Sequence, residues 1–158
     1  MQHDLVHFNS ASAFCLGTQC HLEGKTIVLE GIPYAKNVTS LVNGLLPVGL
    51  QSSVRRPLGT VLPMIVDPSL RCLSFDDAWY GRYLETLVHL GTRNRVYVVH
   101  SKADQISVYA DATATIGRMQ CTGVCILDAA MHHSYHKHVE YTRFMQSIVG
   151  QTIARMWL

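Results

Sequence analysis

Apolar positions in this chain fall into two kinds of pattern. Short unbroken runs, Thr26-Ile27-Val28-Leu29-Glu30, Val96-Tyr97-Val98-Val99-His100 and Val124-Cys125-Ile126-Leu127, are rich in β-branched residues. Such runs are the mark of strands buried on both faces of a parallel sheet. Leu5-Val6-His7-Phe8 is a shorter candidate of the same kind. Between the runs, apolar residues recur every third or fourth position. Trp79, Tyr83, Leu84, Leu87 and Leu90 predict a helix opened by Phe75-Asp76-Asp77 and closed by Gly91. Tyr141, Phe144, Met145, Ile148, Val149 and Ile153 predict an amphipathic helix from about His136 to Trp157. The Ala/Cys/Leu-rich stretch Ala11 to Leu22 and the alanine-rich stretch Val108 to Met119 read as two further helices.

Residues 34 to 74 have no clean period. Val38 to Leu46 is a helix candidate, whereas 49 to 68 carries Pro57, Pro63 and Pro68 and reads as loop or cap. Strands alternating with helices predict an α/β layer fold, with a mostly parallel sheet of about four strands and helices flanking it. A length of 158 residues fits one domain over 1–158, with 34–74 as an irregular, cap-like insertion.

Composition narrows the function classes. An apolar fraction of 48% against a charged fraction of 15% supports a packed core. A net charge of +2, with Arg55-Arg56 as the one basic pair, gives nucleic acid no footing. The longest apolar stretch, Val38 to Leu50, is broken by Asn43, Gly44, Pro47 and Gly49, so no membrane span is expected. Met1-Gln2-His3-Asp4 lacks the basic and then apolar pattern of a secretory signal. Five cysteines, at 15, 20, 72, 121 and 125, form no CxxC pair and read as reduced thiols. An intracellular protein is expected, either cytoplasmic or in an organelle such as the mitochondrion.

The candidate chemistry sits where strands end. The run Val96 to His100 stops in the turn Ser101-Lys102-Ala103-Asp104, and the run Val124 to Leu127 is followed by His132-His133. Strand, turn, acid, helix, strand, histidine is the order in which an α/β-hydrolase delivers the last two members of its Ser–Asp–His triad. The nucleophile belongs to a sharp strand-to-helix turn, and Phe8-Asn9-Ser10-Ala11-Ser12-Ala13 supplies one. Ser10 is preferred to Ser12 because small residues follow it into the helix. Plainer roles stand beside these: Ser10 as a helix N-cap, and Asp104 as the cap of the helix that follows. His132 and His136 lie four apart, as zinc ligands on a helix can, but no companion Cys or acidic pair sits at ligand spacing. No metal and no cofactor are therefore expected. Cys121 and Cys125 flank a strand and read as core, and the stripe Trp79, Tyr83, Leu87 reads as core or interface.

Together these segments resemble the second half of an α/β-hydrolase and, more narrowly, the eukaryotic transmembrane protein 53 family. The resemblance is carried by His7-Phe8-Asn9-Ser10-Ala11-Ser12-Ala13, by Tyr97-Val98-Val99-His100-Ser101-Lys102-Ala103-Asp104, and by His133-Ser134-Tyr135-His136 with Tyr141 beyond. Asn9, Ser12 and Ala13 depart from that family's pattern. The resemblance implies acyl-transfer chemistry, with Ser10 as nucleophile, Asp104 as orienting acid, His133 as base and the Ala11 N–H as half of an oxyanion hole. It also implies a partial fold without the usual N-terminal strands, which carry the second oxyanion donor. The first strand, central in a complete sheet, then has a free edge that a protein partner or a homodimer mate is expected to cover.

Two functions follow. One is a truncated α/β-hydrolase-like accessory or structural subunit of a larger intracellular assembly, with a degenerate active site. The other is a serine ester or thioester hydrolase whose Ser10–His133–Asp104 triad is completed by a partner chain or a dimer.

Overall fold

Four strands form in the computed structural model, which describes residues 4–17, 22–37, 40–41 and 77–158. They are β1 (Leu5–Asn9), β2 (Thr26–Glu30), β3 (Arg95–Ser101) and β4 (Gly123–Leu127). All neighbours pair in parallel, and their spatial order is the order of the chain, β1-β2-β3-β4. The helices are α1 (Asp77–Leu90), α2 (Tyr109–Ile116) and α3 (Val139–Met156). Two 3-10 helices, Ser10–Gly17 and Tyr135–Lys137, complete the described elements. The parallel sheet with flanking helices is the architecture expected from the alternating patterns. Much of the stretch 34–74, including most of the helix candidate from Val38 to Leu46, lies outside the described residues.

The sheet is covered on both faces, which is why its inner strands read as unbroken apolar runs. One face presents Phe8, Ile27, Leu29, Val96 and Val98 to the first 3-10 helix and to α1. Here Phe14 packs edge-on against Trp79 and Tyr83, with ring centroids 5.5 and 5.1 Å away, and Trp79 stacks on Tyr83 at an interplanar angle of 3°. Each such aromatic pair adds about 1 kcal/mol to simple burial. The Trp79, Tyr83, Leu87 stripe is therefore core. The opposite face presents Val28, Tyr97, Val99 and Leu127 to α3 through Ile148, Phe144 and Met145.

Where local structure departs from the sequence pattern, side-chain chemistry explains it. The segment after β1 is a 3-10 helix ending at Gly17, tighter than the α-helix its composition suggests. Its first turn is clamped by Ser12, whose Oγ accepts the Asn9 N–H at 2.8 Å and donates to the Asn9 carbonyl at 2.7 Å. A hydroxyl that bonds the backbone three residues back competes with regular α-helical pairing. The last helix is split: Tyr135–Lys137 is a separate 3-10 turn before α3 begins at Val139.

β1 differs from its neighbours. Every residue of β2 is buried, whereas along β1 only Phe8 is. Among the described residues β1 pairs on one side only.

Candidate active site

Three strands end on one rim of the sheet and each delivers one polar group there. In open α/β sheets this carboxyl end of the strands is where ligands bind. Ser10 follows β1, Asp104 follows β3 by a short turn, and the loop after β4 carries His132.

Ser10 Oγ lies 2.8 Å from His132 Nε2, and His132 Nδ1 lies 2.8 Å from Asp104 Oδ2. The histidine side chain is 7% exposed and the Asp104 side chain is fully buried. With Nδ1–H donating to the carboxylate, Nε2 is left as the acceptor for the serine hydroxyl.

Ser10 has φ +50°, left-handed territory that L residues avoid at a cost of about 1–2 kcal/mol. A serine in that conformation, on a sharp strand-to-helix turn, is the geometry of a nucleophile elbow. Ser12 has its hydroxyl occupied by the Asn9 backbone on both counts. Of the two serines considered, Ser10 is thus the one that meets a histidine. Ala11 sits in the first turn of the 3-10 helix, where an N–H has no intrahelical carbonyl to bond.

The histidine is a correction. The sequence reading selects His133, but the structure puts His132 between Ser10 and Asp104. The cause is the turn from Met131 to Ser134, closed by the Ser134 N–H and hydroxyl on the Met131 carbonyl at 2.9 and 2.7 Å. Within it His133 takes φ +61°, so its side chain leaves the line that His132 follows inward. The His133 ring is left exposed and lies edge-on to that of His132, centroids 4.2 Å apart. His136 is exposed as well. Among the described residues no group of three His, Cys, Asp or Glu is placed to hold a metal ion.

Asp104 is held by more than the histidine. Its Oδ1 accepts the N–H groups of Ile106 and Ser107, both at 2.9 Å, and its Oδ2 also accepts the Tyr135 hydroxyl at 2.6 Å. Burial works against ionisation here. The hydrogen bonds from His132, Ser107 and Tyr135 outweigh it and hold the carboxyl down to about 2. The same bonds brace the loop at Ile106 and Ser107 and do not cap the helix that follows, whose N-cap is Val108 with no side-chain cap bond, so the expected helix-cap role is not the one Asp104 takes. Burial and the contact with Asp104 push the Tyr135 phenol well above its ordinary value, so it stays a donor. Beneath the loop, wholly buried His100 has Nε2 2.9 Å from the Ser107 carbonyl, and burial lowers its pKa. His100 is therefore neutral, with its Nε2–H donated to Ser107. Neither Tyr135 nor His100 was singled out by residue pattern as part of the acid's support. An aromatic hydroxyl near a histidine pair was the only signal.

A narrow crevice lined by Asn9, Glu30, Gly31, His132, His133 and Tyr135 reaches His132 and is too tight to admit a water molecule. A wider groove, about 990 Å³, opens at the opposite end of the sheet between α1 and the turn before β3. It touches none of Ser10, Asp104 and His132. The Cys121 and Cys125 thiols are pushed up by burial, which leaves them poor nucleophiles.

The backbone is similar to those of two hydrolases of known structure. One is a monoacylglycerol lipase from Paleococcus ferrophilus, with a TM-score of 0.57 and 11% identity over 95% of this chain and 68% of the lipase. The other is the esterase domain of a Rhodothermus marinus protein, with a TM-score of 0.51 and 13% identity over 96% of this chain and 61% of that one. The fold is α/β-hydrolase-like. At these identities the likeness is one of fold. No protein-family model and no curated protein matches the sequence.

Proposed function

We propose that the chain is a serine hydrolase acting on esters or thioesters, with Ser10 as nucleophile, His132 as general base and Asp104 as the acid that orients it. The observation that carries this reading is the line Ser10 Oγ, His132 Nε2, His132 Nδ1, Asp104 Oδ2, with both hydrogen-bonded separations 2.8 Å. In the first step Ser10 Oγ bonds to the acyl carbon while its proton passes to His132 Nε2. The imidazolium then protonates the departing alcohol or thiol as the carbon–leaving-group bond breaks, and water repeats the sequence to free the acid. Asp104 stays ionised throughout, consistent with its depressed pKa. The Ala11 N–H is the donor proposed for the developing oxyanion. Lipase and esterase neighbours support an acyl substrate at this coarse level. The finer likeness to the transmembrane protein 53 family rests on the three sequence segments that carry it and belongs to the same proposal.

A second reading is favoured by β1. Its one-sided pairing among the described residues and its partial exposure suit a strand that another chain covers. That partner, or a dimer mate, would make the chain an accessory subunit of a larger intracellular assembly if Ser10 proves inert.

The test is labelling of the native protein, with any partners it carries, by a fluorophosphonate probe. Labelling of the wild type that Ser10→Ala abolishes is the expected result. A native protein that takes no label overturns the hydrolase reading and leaves the subunit reading standing.

A further inference from the structure

Two buried titratable groups take no part in the Ser10–His132–Asp104 line. One is Glu30, which closes β2, and its surroundings account for it: its Oε2 lies 2.7 Å from His7 Nε2 and accepts the Tyr141 hydroxyl at 2.8 Å. The other is His100 in β3, and its surroundings do not account for it. The ring is wholly buried, and burial keeps it neutral. Its Nε2 lies 2.9 Å from the Ser107 carbonyl, an approach that needs the proton on Nε2, so Nδ1 carries the bare lone pair. Among the described residues that Nδ1 meets no donor. A buried acceptor without a donor is costly, and an apolar side chain would fill the same space without that cost. What the histidine supplies here is therefore its Nε2–H.

That donor lands on a residue gripped at every polar atom. Ser107 is buried; its N–H donates to Asp104 Oδ1 at 2.9 Å, its Oγ accepts the Tyr34 N–H at 3.3 Å, and its carbonyl accepts from His100. The ladder of α2 starts one residue later, where the Val108 carbonyl takes the Asp111 and Ala112 N–H groups, so the Ser107 carbonyl is left to the ring. The ring is itself steadied by Tyr34, which meets it edge-on with centroids 5.6 Å apart. A run of hydrogen bonds thus leads from β3 to the acid. His100 Nε2–H bonds the Ser107 carbonyl, the Ser107 N–H bonds Asp104 Oδ1, and Asp104 Oδ2 faces His132 Nδ1.

We propose that His100 is a positioning residue, acting through Ser107 to hold the Asp104 carboxylate in line with His132. The proposal rests on the hydrolase reading above. It assigns His100 no contact with substrate and no proton in the reaction.

The test compares wild type with His100→Leu, which keeps the bulk and loses the donor, and with His100→Gln, whose side-chain amide can offer an N–H from a similar reach. The readouts are the rate constant for fluorophosphonate labelling, and kcat and KM for p-nitrophenyl butyrate, on protein shown to be folded by circular dichroism. A loosely held acid slows proton transfer rather than substrate binding. His100→Leu is therefore expected to lose on the order of 10–100-fold in kcat with KM nearly unchanged. His100→Gln is expected to stay within a few fold of wild type, a rescue that packing alone would not give, since glutamine suits a buried apolar surround no better than leucine. A folded His100→Leu with wild-type kcat overturns the proposal, and so does a folded His100→Gln as impaired as His100→Leu. Added to Asp104→Asn, His100→Leu is expected to slow labelling little further, because its effect runs through the acid; losses that multiply are equally fatal. If neither His100 variant folds, nitrogen NMR of the wild-type imidazoles decides: the proposal requires His100 as the neutral Nε2–H tautomer, and a proton on Nδ1 overturns it. Wild-type protein that neither labels nor turns over ester overturns the hydrolase reading and this proposal with it. Active wild type with unaffected variants overturns this proposal alone.

Discussion

The Tyr135 hydroxyl donates to Asp104 Oδ2 at 2.6 Å, the same oxygen that faces His132 Nδ1. One carboxylate oxygen therefore serves both the histidine and a phenol that is 1% exposed. Tyr135→Phe removes a donor to a buried charge without opening a cavity, and a loss of about 1.5–3 kcal/mol is expected. Chemical denaturation at neutral pH measures it. Labelling should also slow, because the carboxylate is then less firmly placed; a variant as stable and as reactive as wild type would show that Asp104 does not need the phenol.

The acid itself predicts a pH dependence. The Asp104 carboxyl is held at about 2 in the fold against an ordinary value of 3.8. A depressed folded pKa means that the unfolded chain binds the proton more readily. The contribution is therefore complete above about pH 4 and disappears as pH falls toward 2, and it amounts to about 2 kcal/mol. Glu30 is shifted the same way and steepens the same window. The Asp104 share is the difference in urea midpoint between wild type and Asp104→Asn, followed from pH 6 to pH 2.5. The two curves should converge as the pH drops, and parallel curves would contradict the assignment.

Adjacent histidines give the sharpest discrimination. His132→Gln removes the proposed base and is expected to reduce fluorophosphonate labelling by on the order of 10³-fold or more. His133→Gly should leave labelling within a few fold of wild type, because the His133 ring is exposed and glycine accepts its φ of +61°. The reverse order of effects would return the base to His133.

Gly31 links β2 to the acid's support. It has φ +52°, and a Cβ there would stand 3.3 Å from the Tyr135 ring and hydroxyl. Gly31→Ala is thus strained in its backbone and crowds the phenol, with an expected cost of about 1–3 kcal/mol. Slower labelling should accompany it. Thermal unfolding and the labelling rate are measured together, and a stability loss with full reactivity would separate Gly31 from the site.

How much of this was legible depends on the physics of each element. Val96 to His100 and Thr26 to Glu30 announced themselves because a strand buried on both faces needs apolar residues without alternation. Asp104 was legible because a lone acid in a small polar turn after such a strand has few uses. His132 was not distinguishable from His133, since their difference lies in one left-handed backbone angle set by the Met131–Ser134 turn. The 3-10 form of Ser10–Gly17 was hidden in the Ser12 hydroxyl's choice of a backbone partner. Glu30 could have been found: an acid ending a strand as apolar as Thr26-Ile27-Val28-Leu29 is placed to be buried, and buried acids need donors.

The three groups of the site hang from strands that do not share equal anchorage. The Asp104 turn and the His132 loop follow β3 and β4, cross-tied by the Lys102 N–H on the Leu127 carbonyl at 2.9 Å, whereas Ser10 follows β1, at the opposite edge of the described sheet from β4. A small shear of β1 along β2 would swing the serine away while leaving the acid–histidine pair intact. The hydroxyl thus behaves as the pointer of a gauge whose spring is β1, and whatever leans on that strand sets the reading.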